Sequence, residues 1–97
     1  MALTVWKYAV PLTDTFSLSL PVGARVLTVQ VQAGQGVMLW ALGDPDQETR
    51  LRYFRLVGTG HAIDEVHALE YVGSVQLDQG TLVFHLFEVP TGPFTES

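Results

Sequence analysis

The stretch that decides the fold runs from Arg25 to Pro45 and reads RVLTVQVQAGQGVMLWALGDP. Its first half alternates apolar and polar residues, which is typical of a β-strand with one face in water. The next two glycines, Gly34 and Gly36, tolerate the positive φ that a tight reversal requires. Residues 37–42 are apolar throughout, as in a strand covered on both faces. The stretch therefore predicts a β-hairpin at the centre of a sheet, with four residues of its first strand facing the core: Leu27, Val29, Val31 and Ala33.

Five further strands are predicted on either side of this hairpin, over residues 5–10, 15–20, 50–57, 69–77 and 82–89. The strand at 50–57 is apolar at Leu51 and Tyr53 and then in the opposite phase at Phe54 and Leu56, which predicts a bulge near Tyr53. In the strand at 69–77, alternation predicts a common side for four residues: Tyr71, Gly73, Val75 and Leu77. The last strand is apolar on both faces and is predicted to be central.

Seven strands spaced about ten residues apart, without an amphipathic helix, predict an all-β domain. Two strands are apolar on both faces and need cover on each side. We therefore expect a single small antiparallel β-sandwich or partly open barrel. The domain is predicted to span residues 1–89, and residues 90–97, with two prolines and a glycine, to form a flexible C-terminal tail.

Hydrophobic residues make up 47% of the 97 residues and charged residues only 15%, below the roughly 25% of average proteins. So little charge favours a surface that is partly buried against another copy or a partner, although strands apolar on both faces within one sandwich would use some of the same residues. We expect a homo-oligomer. The net charge is −5 and only five residues are basic. This balance argues against nucleic-acid binding, because affinity for phosphate backbones comes mainly from clustered positive charge.

The sequence contains no cysteine, which excludes disulfides, zinc-thiolate sites and thiol nucleophiles. Its first residues do not resemble a signal peptide. No apolar run approaches the ~20 residues of a membrane helix. Together these features predict a soluble cytoplasmic protein without a membrane association.

The histidines do not form a recognisable metal motif. His61 and His67 share a loop with Asp64 and Glu65, but their spacing matches no standard ligand set, and His85 lies among core residues of a strand. We therefore predict no metal and no cofactor.

Acidic residues alternate over residues 44–48, as they do in the first half of a calcium-binding loop. However, Thr49 and Arg55 stand where that loop requires glycine and a bidentate glutamate. This segment is predicted to be a solvated loop whose carboxylates lie near Arg50 and Arg52, in pairs worth little when exposed.

Catalytic groupings are also missing from the sequence. Ser17, Ser19 and Ser74 lie in strands without a nucleophile-elbow context. Glu88 and His85 are three residues apart in a strand and should face opposite sides. We predict no catalytic residues and no enzyme activity.

The segment Gly58-Thr59-Gly60-His61 offers backbone amides, a hydroxyl and an imidazole that could bind a phosphate or carboxylate. Arg50, Arg52 and Arg55 belong to the strand that leads into it and could add positive charge. The alternative is a structural loop that uses glycine for tight turns, since no helix follows to supply a dipole.

Large amphipathic side chains at Trp6, Tyr8, Trp40 and Tyr53 can fill the core, or some of them can form a protein-binding face. Trp40, with the acidic Asp44 and Asp46 nearby, is the predicted contact for a protein partner.

Several segments carry a resemblance: Trp6-Lys7-Tyr8, Leu39-Trp40-Ala41-Leu42 before Asp44-Pro45, Gly58-Thr59-Gly60-His61, and Leu82-Val83-Phe84-His85-Leu86-Phe87-Glu88. Together they resemble a family of short proteins of unknown function that is widespread in bacterial and bacteriophage genomes. The resemblance spans Trp6 to Glu88. It implies a phage or prophage accessory protein that acts in the cytoplasm of a bacterial host.

Three functions follow as hypotheses. The first is a non-enzymatic, self-associating domain that binds a host protein and interferes with a host process or defence system. The second is a domain that sequesters a small anionic or nucleotide-like ligand at the 58–61 loop. The third is a minor structural protein of the virion.

Overall fold

The computed structural model describes residues 2–63 and 68–90, and it is an all-β sandwich of two open antiparallel sheets rather than a closed barrel. The predicted fold class is confirmed. The seven strands are β1 (Thr4–Ala9), β2 (Thr15–Pro21), β3 (Arg25–Gln32), β4 (Gly36–Gly43), β5 (Thr49–Gly58), β6 (Glu70–Leu77) and β7 (Leu82–Val89), with one short 3₁₀ turn, Asp78–Gly80.

The first sheet, sheet A, has the strand order β1-β4-β3, and the second, sheet B, has the order β2-β5-β7-β6. The predicted hairpin is present, because β3 pairs with β4 from Gln32 and Gly36 outward. Strand β4 lies in the middle of sheet A and β7 lies inside sheet B, so the two strands predicted to be central are both central.

The core lies between the two sheets and draws its largest buried side chains from both. Leu39 of sheet A and Leu20, Phe54 and Leu86 of sheet B are at most 1% exposed. Phe16 stacks on Phe54 with ring centroids 5.2 Å apart and an interplanar angle of 12°. Burying one such side chain is worth about 1.5–3 kcal/mol, so this shared core holds the sheets together.

The sheets come closest where β3 contacts β6. A Cβ atom at Gly73 would lie 2.9 Å from Cγ1 of Val29, which is itself only 3% exposed. The absence of a side chain at residue 73 therefore permits this approach. Strands β1 and β2 are the other outermost strands of their sheets.

The predicted bulge near Tyr53 is wrong, because β5 pairs with β2 and with β7 without a register shift. Strand β5 keeps one phase throughout, with Arg52, Phe54 and Leu56 on the core side. The apparent change of phase arises because Leu51, which is 57% exposed, lies on the outer side.

Two bulges lie elsewhere, between Val26 and Thr28 in β3 and between Tyr71 and Gly73 in β6. Of the residues of β3 predicted to face the core, only Val29 is buried, while Leu27 and Val31 are 44% and 42% exposed and Ala33 lies in the exposed turn. The bulge in β3 accounts for the change of phase at Leu27.

Within the described ranges, no helix is long and apolar enough to cross a membrane. The predicted C-terminal tail lies, beyond Pro90, outside the described residues, as do Asp64, Glu65 and His67 of the predicted histidine loop.

Candidate functional site

A row of hydrogen-bonded hydroxyl and imidazole groups crosses the outer face of sheet B. His85 of β7 lies at its centre, with Nδ1 2.7 Å from Ser74 Oγ and Nε2 2.7 Å from Thr59 Oγ1. Tyr71 Oη extends the row and lies 2.7 Å from Ser74 Oγ. Four side chains from three consecutive segments of the chain are thus held in one arrangement on an exposed surface.

The strand register explains why these groups meet. Ser74 is paired directly with His85 across β6 and β7, so their side chains stand on the same face. Residues three apart in a regular strand point to opposite faces, but the bulge between Tyr71 and Gly73 adds one residue. Tyr71 therefore joins Ser74 on the outer face, whereas Gly73 stands opposite the buried Leu86. The predicted common side for Tyr71 and Gly73 is wrong for this reason.

All hydrogen bonds of the row can form with a neutral imidazole, which donates through one ring nitrogen and accepts through the other. If Nε2–H donates to Thr59, Ser74 donates to Nδ1 and Tyr71 donates to Ser74. In the other tautomer every donor along the row reverses. Either direction leaves the Tyr71, Ser74, His85 and Thr59 side chains fixed by mutual hydrogen bonds.

An aromatic pair adjoins this row. The rings of Tyr71 and Phe87 meet edge to face, with centroids 5.7 Å apart and an interplanar angle of 60°, the geometry that aromatic pairs prefer. Tyr71 is nevertheless 63% exposed. We call the surface formed by Thr59, Tyr71, Ser74, His85 and Phe87 the tyrosine face.

A second feature is an ion pair at one end of the space between the sheets. Arg52 Nε lies 2.5 Å from Glu88 Oε2, and Arg52 Nη2 lies 3.0 Å from Glu88 Oε1. Arg52 Nη1 also donates to the carbonyl oxygen of Ala24, at 2.6 Å. Three donors of one guanidinium thus connect β5 to β7 and to the turn between β2 and β3.

Glu88 is 7% exposed, so its charge is largely removed from water. The pKa of Arg52 is raised, first by its hydrogen bond to Glu88, while desolvation opposes the rise. A cleft of about 410 Å³ and another of about 280 Å³ share Arg52, Glu70 and Glu88 in their walls. Because Glu88 and Ala24 already engage the guanidinium in a bidentate pair and a third bond, we interpret the ion pair as a connection between parts of the fold.

The predicted ligand loop at residues 58–61 forms a turn in which two of the four amides already donate hydrogen bonds within the protein. Thr59 N donates to Val83 O at 3.2 Å, and His61 N donates to Gly58 O at 3.1 Å. The small space beside it, about 140 Å³, is lined by Arg55 and His61 but also by Asp14. An anion placed there would meet the carboxylate of Asp14, and the amides of Thr59 and His61 are already engaged. Gly60 has a φ of +86°, so the glycine serves the turn.

The arginines predicted to assist that loop are not collected there. Arg52 lies six residues before Gly58 on the same strand, roughly 20 Å away at the usual rise per residue, and Arg50 lies farther still. Arg50 instead pairs with Glu48 at 3.2 Å, as the sequence predicts, with both side chains 70% exposed. Arg52 does not join the 44–48 loop as predicted, because it pairs with Glu88. Only Arg55 lies beside the loop.

The predicted partner-binding residues lie on the opposite side of the protein from the tyrosine face. Trp40 is half-buried on the outer face of sheet A, between Lys7 and Thr28. Asp44 Oδ1 accepts a hydrogen bond from Asp46 N at 2.9 Å, so the Asp44 side chain stabilises the turn after β4. Asp46 is exposed.

Among the residues that the structure describes, no three metal-binding side chains come together. Glu88 and His85 face opposite sides of sheet B, as predicted: Glu88 stands beside the buried Phe54 and His85 beside Ser74. The Arg52–Glu88 pair and the tyrosine face were both missed by sequence reasoning. The available signal for the ion pair was one charged residue among the core-facing residues of each strand, Arg52 in β5 and Glu88 in β7. The tyrosine face depends on the bulge in β6, which residue types do not indicate.

The family model described as a domain of unknown function, DUF7352, matches residues 1–94. No curated protein matches the chain. No solved structure matches it either.

Proposed function

The chain belongs to the DUF7352 family, and from that premise we propose that it is a non-enzymatic binding domain that recognises another protein through the tyrosine face. The observation that carries the proposal is that the Tyr71 ring is both exposed and fixed in position. Its ring is 63% exposed, yet a hydrogen bond to Ser74 and an edge contact with Phe87 already fix it. An exposed aromatic group with little conformational freedom left to lose suits a binding anchor.

The composition of the face supports recognition of a folded partner. Tyrosine, serine and threonine combine apolar area with adaptable hydrogen bonding, and tyrosine is enriched among residues that dominate binding energies. The imidazole of His85 fixes the hydroxyls of Ser74 and Thr59 on this face through its two ring nitrogens. These groups offer a central aromatic contact surrounded by polar ones, which is the usual anatomy of a protein interface.

Charge favours a basic partner. The protein carries a net charge of −5, and the exposed Glu70 and Asp78 flank β6 at its two ends. Complementary charge accelerates encounter and disfavours acidic partners. The resemblance to proteins of bacterial and bacteriophage genomes makes a host protein with a basic surface the proposed partner, and interference with that protein the proposed outcome.

The arrangement around His85 favours binding over catalysis. Ser74 and His85 are close enough to act as a nucleophile and a base. In that chemistry a carboxylate usually holds the second ring nitrogen and stabilises the charged imidazole. Here the second nitrogen meets the hydroxyl of Thr59, which does not provide that charge.

Photocrosslinking tests the proposal. Benzoylphenylalanine is introduced at residue 71, and as a matched control at residue 40, because both are aromatic positions on outer faces of opposite sheets. After irradiation in a bacterial host, we expect one defined adduct with a host polypeptide from residue 71 only. With that partner purified, Tyr71→Ala should weaken binding roughly 10- to 30-fold, the usual loss at an interface anchor.

The control separates the outcomes. An adduct from residue 40 alone would support the sequence-based assignment to Trp40 and contradict the tyrosine face. No host adduct from either position would refute protein recognition by both surfaces. Adducts between two copies are recognised by mass, since the monomer is 10.7 kDa.

A further inference from the structure

Strand β1 presents unpaired backbone groups at the edge of sheet A. Among the described strands it pairs only with β4. Val10 N donates to Val37 O at 3.0 Å, and the register places Ala9 opposite Met38. Because hydrogen-bonded pairs alternate in antiparallel ladders, the residues bonded to β4 are the even-numbered ones. The N–H and C=O groups of Val5, Lys7 and Ala9 therefore point away from the sheet.

This edge lacks the features that usually prevent strands from pairing between molecules. Such edges carry prolines, bulges or free lysines, but β1 pairs with β4 over six consecutive residues without a shift and contains no proline. Its one charge is directed elsewhere, because Lys7 Nζ donates to Oε1 of Gln32 at 2.8 Å and to Oε1 of Gln35 at 2.9 Å. The ammonium is thus held on the protein's own surface.

Apolar side chains are exposed along the same edge. Leu3 and Val5 are 54% and 52% exposed, and they share the outer phase of the strand with Lys7. An edge whose one charge is bonded to the protein's own surface, and which exposes apolar side chains, fits another such strand better than it fits water.

We propose that two copies of this chain pair through β1, antiparallel and around a two-fold axis at Trp6, so that the two A sheets form one six-stranded sheet. In this register Val5 stands opposite Lys7 of the partner subunit, and Leu3 stands opposite Ala9 of the partner subunit. A register centred on Lys7 would place two ammonium-bearing side chains directly opposite each other, which is unfavourable. The interaction is isologous, as expected of a closed dimer.

The interface is small, since each copy contributes one short strand. Interfaces at the low end of the size range bind weakly. We therefore expect a dissociation constant on the order of 1–100 μM.

Sedimentation velocity between roughly 1 and 500 μM, a range that brackets this constant, tests the pairing. The wild-type protein should shift with concentration from 10.7 kDa to twice that mass. Val5→Pro removes an outward N–H and no bond to β4, so the variant should stay monomeric. Ser17→Pro is the matched control at the edge of sheet B. Leu56 N donates to Asp14 O, so in the β2–β5 register the even-numbered residues of β2 are bonded to β5 and the Ser17 N–H points outward. This variant should dimerise as the wild type does.

Circular dichroism first verifies that both proline variants are folded. If Val5→Pro does not fold, oxidation of an equimolar mixture of Val5→Cys and Lys7→Cys replaces it, since the native chain has no cysteine. The proposed register places those two positions opposite each other, within disulfide reach. A mixed disulfide is expected. The proposal is overturned by a wild type that stays monomeric, by dimers that survive Val5→Pro, by loss of dimers in Ser17→Pro, or by absence of the mixed disulfide.

Discussion

Replacing Arg52 by methionine should destabilise the protein far more than the same replacement two residues earlier in β5. Methionine retains the apolar stem of the side chain but removes all three of its hydrogen bonds, to both Glu88 oxygens and to Ala24 O. The carboxylate of Glu88 would then remain in a site where it is 7% exposed, without its cation.

The size of the effect follows from this burial. Removing one partner of a buried ion pair costs about 3–5 kcal/mol, because the other charge stays desolvated. The Arg52 side chain is 25% exposed, so water can partly compensate and the lower end, about 3 kcal/mol, applies. Arg50 pairs with Glu48 where both side chains are 70% exposed, and Arg50→Met should cost less than about 0.5 kcal/mol.

Urea unfolding, followed by the fluorescence of Trp6 and Trp40, measures both losses. With a slope near 1 kcal/mol per molar urea for a domain of this size, Arg52→Met should lower the midpoint by about 3 M and Arg50→Met by less than about 0.5 M. The Arg52→Met/Glu88→Leu double variant should regain most of the loss, because an apolar pair replaces the ions. Equal midpoints for the two single variants, or a double variant as unstable as Arg52→Met, would refute the assigned burial of Glu88.

The contribution of Arg52 to the stability of the protein should be constant near neutral pH. Its pKa is raised by the hydrogen bond to Glu88. A raised pKa gives stability that is fully present below the unfolded value, which for arginine lies far above neutral pH, and lost only at higher pH. The difference between wild type and Arg52→Met should therefore not fade as pH rises from roughly 6 to 9, and a loss over that interval would assign the effect to another group.

Two further predictions concern other parts of the fold. Gly73→Ala should lower the free energy of unfolding by about 1–3 kcal/mol, because the new methyl group would lie 2.9 Å from Val29 Cγ1. In a Val29→Ala background the same change should cost little. An equal cost in both backgrounds would contradict the predicted clash. Burial raises the pKa of Tyr8 from its ordinary 10.0, so its contribution is present below pH 10 and lost as pH rises through the folded value. Tyr8→Phe should remove part of the loss of stability that urea unfolding detects as the pH rises above about 10, and an unchanged alkaline slope would assign that loss elsewhere.

The sequence was sufficient to predict the class of fold and the positions of the strands. Alternation and apolar runs identified all seven strands, and the glycines at 34 and 36, with φ of +77° and +89°, identified the central turn. These signals are local, since they depend on the face that each residue presents and on the backbone conformation that glycine allows.

Register irregularities were not predictable in the same way. The bulge expected near Tyr53 is absent, and bulges occur instead beside Val26 and Tyr71. A charged residue on the core side of a strand interrupts the apolar pattern from which the buried face is inferred, and Arg52 in β5 is such a residue. It occupies a core-side position in β5 because Glu88, 36 residues later, occupies the matching side of β7. An ion pair between residues so far apart in the sequence depends on the order of the strands in the sheet, which the residue types of one strand do not specify.

The bulge in β6 connects the stability of the protein to its proposed recognition surface. On the core side it presents Gly73 to Val29, where β6 approaches β3. On the outer side it brings Tyr71 and Ser74, three residues apart, within hydrogen-bond distance of each other. A regular strand could not do both, because residues 71 and 74 would face opposite sides. The same extra residue therefore permits the close approach of the sheets and assembles the tyrosine face, so changes at Gly73 that shift the bulge should disturb the position of Tyr71 as well as the packing against Val29.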